Sequence, residues 1–255
     1  MRTTSLTGVL YVVSTPIGNP HDITLRALET FNKVALIVAE NPQRTQALLA
    51  AYKVSTPITS YHNVKPDDKI PLFLQRLQEG QSVALVSDAG TPAIVDPGAL
   101  LIQKALRRNI PVMSIPGPSA IVAALSISGL PSDAFVFVGP LARRRASLRA
   151  QLRALRPERR TLVCFESPAR LAFTLRIMRA ELGNRRIAVA YDLTTPREQW
   201  LRGSLAEIIP RLPPHTQEAH RELTLIIQGA PSKRRPPGPQ HTRNTRARTI
   251  PTASE

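Results

Sequence analysis

The six residues Ser87-Asp88-Ala89-Gly90-Thr91-Pro92 bring a carboxylate, a hydroxyl and a glycine into one short loop. A carboxylate and a hydroxyl can hydrogen-bond a small polar ligand, and a glycine lets backbone approach it closely. The loop follows Val83-Ala84-Leu85-Val86, an apolar run too short for a helix and too continuous for a half-exposed strand. That run reads as a buried parallel strand. Open α/β sheets bind ligands at the carboxyl ends of such strands. A ligand cradle is one reading of the loop; an ordinary strand–turn–helix connection is the other. Two further glycine/proline breaks follow apolar strands, at Ser14-Thr15-Pro16-Ile17-Gly18-Asn19-Pro20 and at Pro116-Gly117-Pro118-Ser119-Ala120. If the three strands are parallel, the three loops meet at one sheet edge, which favours the cradle.

A second constellation is basic. Arg145, Arg149, Arg153, Arg156 and Arg160 recur at spacings of four, four, three and four, and Arg143 and Arg144 extend the row. Leu148, Leu152 and Leu155 form the complementary stripe. A helix with this pattern packs its leucines inward and presents a line of guanidinium groups, the side chain best suited to phosphate. Within the stretch only Glu158 offsets them, so a phosphate-binding face is preferred over a merely solvated one. The whole chain of 255 residues carries a net charge of +16. That favours a polyanionic partner such as nucleic acid, or an anionic membrane surface, by counterion release. Arginine outnumbers lysine, so an arginine-rich surface of ordinary function is the alternative. The single cysteine, Cys164, lies in an apolar run; it reads as a core residue and excludes both an internal disulfide and a zinc pattern. No apolar run nears the roughly 20 residues of a membrane span, and the first residues do not have the makeup of a secretory leader. A cytoplasmic setting is expected.

The elements that must position these groups alternate. Strands are predicted over 6–13, 34–39, 58–61, 83–86 and 111–115. Helices are predicted from Asp22 as N-cap to 32, with Leu25 and Leu28 on one face, from Asn41-Pro42 onward, over 66–79 and over 97–107. In the third of these Ile70, Phe73, Leu74 and Leu77 share a face, and Gly80 ends it. This argues for a parallel sheet with helices on both faces. Gly129-Leu130-Pro131 reads as a linker. Beyond it come strands at 135–138, 161–165, 187–191, 200–202 and 223–227, with helices at 145–155, at 168–182 and after Gly203. Residues 231–255 are rich in proline and arginine and read as a disordered basic tail. The expected architecture is α/β in two domains, 1–128 and 129–230, followed by that tail.

The three loops together resemble the tetrapyrrole-methylase (class III methyltransferase) fold. Within it, residues 8–229 look most like the ribosomal RNA small-subunit methyltransferase I family. The matching segments include Ser14 to Asn19, Asp22 to Leu28, Ser55-Thr56-Pro57, Ser60-Tyr61-His62, Val83 to Pro92, Asp96-Pro97-Gly98, Ile115 to Ala120, Ser128 to Pro131, Phe165-Glu166-Ser167-Pro168 with Arg170-Leu171, and Arg202 to Leu205. The resemblance implies two α/β domains with S-adenosylmethionine in the cleft between them. It also implies a homodimer and 2′-O-methylation of a cytidine of 16S rRNA in the small ribosomal subunit. Carried over by position, Pro16, Ile17 and Gly18 wall the cofactor. Asp88, Ala89, Gly90, Thr91, Ser119 and Ala120 hold its methionine and ribose portions, and Phe165 and Ala190 face its adenine. Glu40, ending the second strand, is the carboxylate expected near the acceptor; a structural helix-start carboxylate is its other reading. Arg143, Arg144, Arg145, Arg149 and Arg153 are the expected RNA contacts, and no metal is expected. The chain departs from the family pattern at Asn41-Pro42-Gln43, which displaces Arg44 by one, at Tyr191-Asp192-Leu193-Thr194-Thr195, and at Pro140. A small-molecule methylase of the tetrapyrrole kind and a non-catalytic RNA-binding relative are the rival readings. A dinucleotide oxidoreductase does not fit, because no G-x-G-x-x-G follows the first strand.

Overall fold

The computed structural model describes residues 7–61, 69–212 and 223–231. The elements in order are β1 Leu10–Val13, α1 Leu25–Lys33, β2 Leu36–Ala39, α2 Pro42–Ala50, β3 Ile58–Ser60, α3 Ile70–Gln78, β4 Val83–Val86, α4 Ala99–Arg107, β5 Val112–Ile115 and α5 Ala120–Ile127. They continue with β6 Phe135–Pro140, α6 Arg145–Ala154, β7 Thr161–Glu166, α7 Pro168–Leu182, β8 Arg186–Tyr191, β9 Gln199–Ser204, α8 Leu205–Ile208 and β10 Leu223–Ile227. Leu6, the start of the predicted 66–79 helix, His62 and the tail from residue 232 lie outside the described residues.

The first sheet has the order β3-β2-β4-β1-β5, and every pairing in it is parallel. Its central strands are apolar at every position because both faces are covered. On one face Leu10, Val38, Val83 and Leu85 pack against the α3 stripe of Ile70, Phe73, Leu74 and Leu77 and against Leu101 and Ala105 of α4. On the other, Val13, Ile37, Ala84 and Val86 meet Ala27 and Phe31 of α1 and Leu49 of α2. Truncating one of these fully buried side chains, Leu77→Ala for example, costs about 2–5 kcal/mol.

The second sheet is mixed. Its order is β6-β7-β10-β8-β9, parallel only between β6 and β7. Helices α6, α7 and α8 cover one face, and Cys164 is part of that core, its thiol pushed up by burial. The other face receives α5: Ala124 and Leu125 pack on Val163, Ala188, Ala190 and Ile226. The alanines of α5 let the helix lie close to the sheet, so the last helix of the first half packs on the second sheet. No helix among the described residues is long and apolar enough to cross a membrane.

One predicted helix start is corrected. Asp22 belongs to a 3-10 turn, Pro20–Asp22, capped by Asn19. The N-cap of α1 is Thr24, whose hydroxyl accepts the Ala27 N–H at 3.1 Å. The later start rotates the helix: Leu25 is 79% exposed while Ala27, Thr30 and Phe31 turn inward.

Candidate active site

The parallel sheet puts the ends of β1, β4 and β5 on one edge, and the three loops that leave them are joined by hydrogen bonds and close packing. Thr15 and Gly90 exchange backbone hydrogen bonds of 2.9 and 3.0 Å. The Thr15 hydroxyl donates to the Ser87 carbonyl at 3.1 Å, and the Ser14 and Thr91 hydroxyls are 2.9 Å apart. Gly90 sits at φ +76°, and a Cβ there would lie 3.5 Å from Ile17 Cγ2 and 3.8 Å from the Pro118 carbonyl. One glycine thus touches the other two loops. Gly117 packs more closely still, its missing Cβ 3.0 Å from that of Ser14.

A fourth wall comes from the second sheet. The turn after β8 holds Asp192 at φ +48° and Thr194 at φ +64°. It is pinned by the Thr194 N–H donating to Glu198 Oε2 at 2.7 Å and by the Thr195 N–H donating to the Asp192 carbonyl at 3.1 Å. The Asn19 N–H donates to Thr194 Oγ1 at 2.9 Å. Gly18 lies so close to the Leu193 carbonyl that a Cβ would overlap it. The two halves therefore meet at backbone distance beside a cavity of about 900 Å³.

Pro16, Ile17, Gly18, Glu40, Asp88, Ala89, Gly90, Thr91, Ser119, Ala120 and Phe165 all line this one cavity. Ala190 does not line it. Strand alternation points its side chain, with Ala188, into the core beneath α5, where it is 1% exposed. The cavity wall resumes two residues later, at Asp192 and Leu193. Thr15, Arg44, Val95, Phe137, Asp192 and Leu193 also line the cavity, although none was among the site residues expected from sequence. For Asp192 and Leu193 the available signal was the cluster of turn formers directly after a strand.

The charged groups of the cavity form a chain. Glu40 Oε2 accepts the Asp88 backbone N–H at 3.1 Å, and Arg44 Nη1 donates to Asp88 Oδ2 at 3.0 Å. Asp88 Oδ1 is enclosed and has no hydrogen-bond partner among the described residues. Arg44 reaches Asp88 because Pro42 opens α2 and the Asn41 side chain takes the N–H groups of Gln43 and Arg44 at 3.1 and 3.3 Å, fixing the first turn. In the Phe165-Glu166 pair only Phe165 reaches the cavity. Glu166 is buried, accepting from Thr174 at 2.6 Å and from the Ser167 N–H at 2.8 Å and facing Arg170 at 3.4 Å.

The arginine row is corrected in one respect. Arg143, Arg144 and Arg145 are exposed and make no ion pair among the described residues. Arg149 and Arg153 instead both donate through Nε, at 2.6 and 3.2 Å, to Glu181 on α7. Those hydrogen bonds, Arg149's foremost, hold the Glu181 carboxyl below the usual range. Arg160 is spent on Glu158, whose carboxyl it pulls down to about 2. Glu181 is therefore a second offsetting carboxylate besides Glu158. It was not visible in the stretch because it lies more than one helix away.

Residues 9–209 match the family model of the tetrapyrrole (corrin/porphyrin) methylases. The ribosomal RNA small subunit methyltransferase I of Synechocystis is 43% identical over 230 residues, covering 90% of this chain and 82% of that one. The protein of the same name from Thermotoga maritima is 40% identical, covering 87% and 99%. Among solved structures, the methyltransferase CobJ superposes with a TM-score of 0.67 at 19% identity, covering 89% of this chain and 97% of that one, a likeness of fold. The chain belongs to the tetrapyrrole methylase family and, within it, to the ribosomal RNA small subunit methyltransferase I family.

Proposed function

We propose that this protein transfers a methyl group from S-adenosylmethionine to the ribose 2′-oxygen of a cytidine in the 16S rRNA of the small ribosomal subunit. The observation that carries the reading is the gathering of Ile17, Asp88 and Ser119, from three separate loops, onto the wall of one cavity. Relatives named as small-subunit rRNA methyltransferases at 40–43% identity support the substrate class.

The residues present suit the donor. The cavity volume lies within the roughly 300–1,000 Å³ of small-molecule sites. Gly90 puts no side chain between the three loops, and the unpartnered Asp88 Oδ1 is an acceptor for a ligand hydroxyl or ammonium. In this reading Pro16, Ile17 and Gly18 wall the donor, and Asp88 to Thr91 with Ser119 and Ala120 hold its polar parts. Phe165 offers an apolar face. When bound, S-adenosylmethionine supplies an electrophilic methyl whose leaving group is a neutral thioether. The chain's own contribution is alignment of the acceptor oxygen with that methyl. A ribose hydroxyl is a weak nucleophile, so loss of its proton needs an acceptor nearby. In this reading Glu40 is that acceptor; the Asp88 N–H engages its Oε2, and Oε1 takes the proton. Arg143, Arg144 and Arg145 engage RNA phosphates, with Arg149 and Arg153 as weaker partners. We further propose that residues 1–128 and 129–230 act as two units closing on the donor, that the chain works as a homodimer, and that it acts in the cytoplasm.

The test is transfer of labelled methyl to small subunits lacking the modification, with a corrin precursor in parallel. Label in the RNA, lost in Glu40→Gln, is the expected result. Label in the corrin overturns the reading, and donor binding with transfer to neither favours a non-catalytic relative.

A further inference from the structure

We propose that Phe135, with Ile94, Val95 and Val122, forms a subsite for the unstacked base of the acceptor nucleotide; this rests on the RNA-methylating function above. Ten large apolar side chains are exposed among the described residues, and these four all line the one cavity. They are 39%, 46%, 48% and 59% exposed and come from three places in the fold: β6, the loop between β4 and α4, and α5. Exposed apolar surface concentrated on a concave wall marks a recognition site.

The backbone maintains this wall against its own preferences. Val95, a β-branched residue, is held at φ +76°, and Ala93 two residues earlier at φ +68°. Such conformations persist where the surroundings over-determine them, and they cluster at functional sites. The loop reaches across to the second sheet, where Val95 Cγ2 lies 3.9 Å from the position a Cβ would take on Gly139. Beneath the rim, Phe137 and Phe165 pack edge to face at 5.1 Å, and both line the cavity. Phe135 has no aromatic partner among the described residues.

The occupant follows from the chemistry. Glu40, the carboxylate assigned to the acceptor proton, lies in the cavity wall, so the acceptor hydroxyl must come to it. A cavity of about 900 Å³ admits single small groups and no RNA helix, so the acceptor nucleotide enters unstacked, as in enzymes that act on extruded bases. An extruded base regains its lost stacking on an aromatic side chain. A second copy of this chain, or the adenine of the donor, are the competing occupants of the rim.

The experiment uses the full chain with unmodified small subunits and compares Phe135→Ala, Phe135→Leu and Phe135→Tyr. Base–aromatic stacking of about 1–3 kcal/mol corresponds to a loss of roughly 5- to 150-fold in kcat/KM for the alanine variant. Phe135→Leu recovers little of it and Phe135→Tyr most, while affinity for S-adenosylhomocysteine by calorimetry and the oligomeric state by sedimentation stay as in the wild type. Unchanged kcat/KM in Phe135→Ala overturns the proposal. A parallel fall in S-adenosylhomocysteine affinity assigns the wall to the donor, and an altered oligomeric state assigns it to a second copy; either overturns it too. A wild type that labels no RNA instead overturns the functional reading beneath it.

Discussion

Gly18→Ala isolates the contact that joins the two halves beside the cavity. Gly18 has no left-handed φ, so space alone requires the glycine. An added methyl would overlap the Leu193 carbonyl and stand 2.8 Å from both Thr194 Oγ1 and Thr195 Cγ2. The carbonyl cannot swing aside cheaply, because the turn is fixed by the 2.7 Å bond from Thr194 N–H to Glu198 and by two residues in left-handed conformations. The turn must retreat as a body, which breaks the 2.9 Å bond from Asn19 N–H to Thr194 Oγ1. Overpacking costs about 1–3 kcal/mol and a lost hydrogen bond about 0.5–1.5 kcal/mol. If donor binding must draw the turn back, affinity for S-adenosylhomocysteine falls at least tenfold, since each 1.4 kcal/mol is a factor of ten. Calorimetry below the melting temperature measures this. Trp200, the only tryptophan, donates to the other oxygen of Glu198 at 2.8 Å, so its fluorescence shifts in the variant even without ligand. Gly229→Ala is the control: its methyl would overlap the Arg159 carbonyl at the end of β10 far from Thr224, the β10 residue that lines the cavity. Both variants lower the melting temperature, and only Gly18→Ala loses donor affinity. Wild-type affinity in folded Gly18→Ala would refute the reasoning.

Arg44→Gln and Asp88→Asn each weaken donor affinity, and the double variant is little worse than Asp88→Asn alone, because Arg44 acts by holding the Asp88 carboxylate. A double-mutant cycle by calorimetry that comes out additive refutes this coupling. Replacing Arg143, Arg144 and Arg145 with glutamine lowers the salt slope of RNA binding by roughly two to three, whereas Arg149 and Arg153 together lower it less, since Glu181 already neutralises part of their charge. The opposite ranking in binding titrations at several salt concentrations would count against the assignment. Glu181 has its folded pKa depressed by Arg149 and Arg153, so its contribution to stability is present above the unfolded carboxyl pKa of about 4.3 and is lost as pH falls through the folded value. Urea unfolding should therefore find Glu181→Gln destabilised at pH 7 and nearly equal to wild type at the most acidic pH where both fold; an equal deficit at both would contradict the pairing.

The parallel sheet and its three loops were legible because their signals are local. Val83 to Val86 is apolar at every position, as a strand covered on both faces must be, and the glycines and prolines after it can only end it. The α3 stripe and the inward leucines of α6 were legible for the same reason, since helical period is written within a few residues. The position of the α1 cap was not: Asp22 and Thr24 both suit the role, and the 3-10 turn started by Pro20 decided between them.

The residues alone determined the strand–helix alternation, the gathering of Ile17, Asp88 and Ser119 once the strands are parallel, and the excess of arginine. Only the tertiary structure decided that Arg44 reaches Asp88, 44 residues away, that Glu181 takes Arg149 from 32 residues away, and that Thr194 closes on Asn19 across 175 residues. It also turned Ala190 into the core and brought Asp192 and Leu193 to the cavity in its place. Hydrophobic period and turn chemistry act between near neighbours, whereas these contacts depend on how two sheets and the helix between them pack, and packing is a property of the assembled interior.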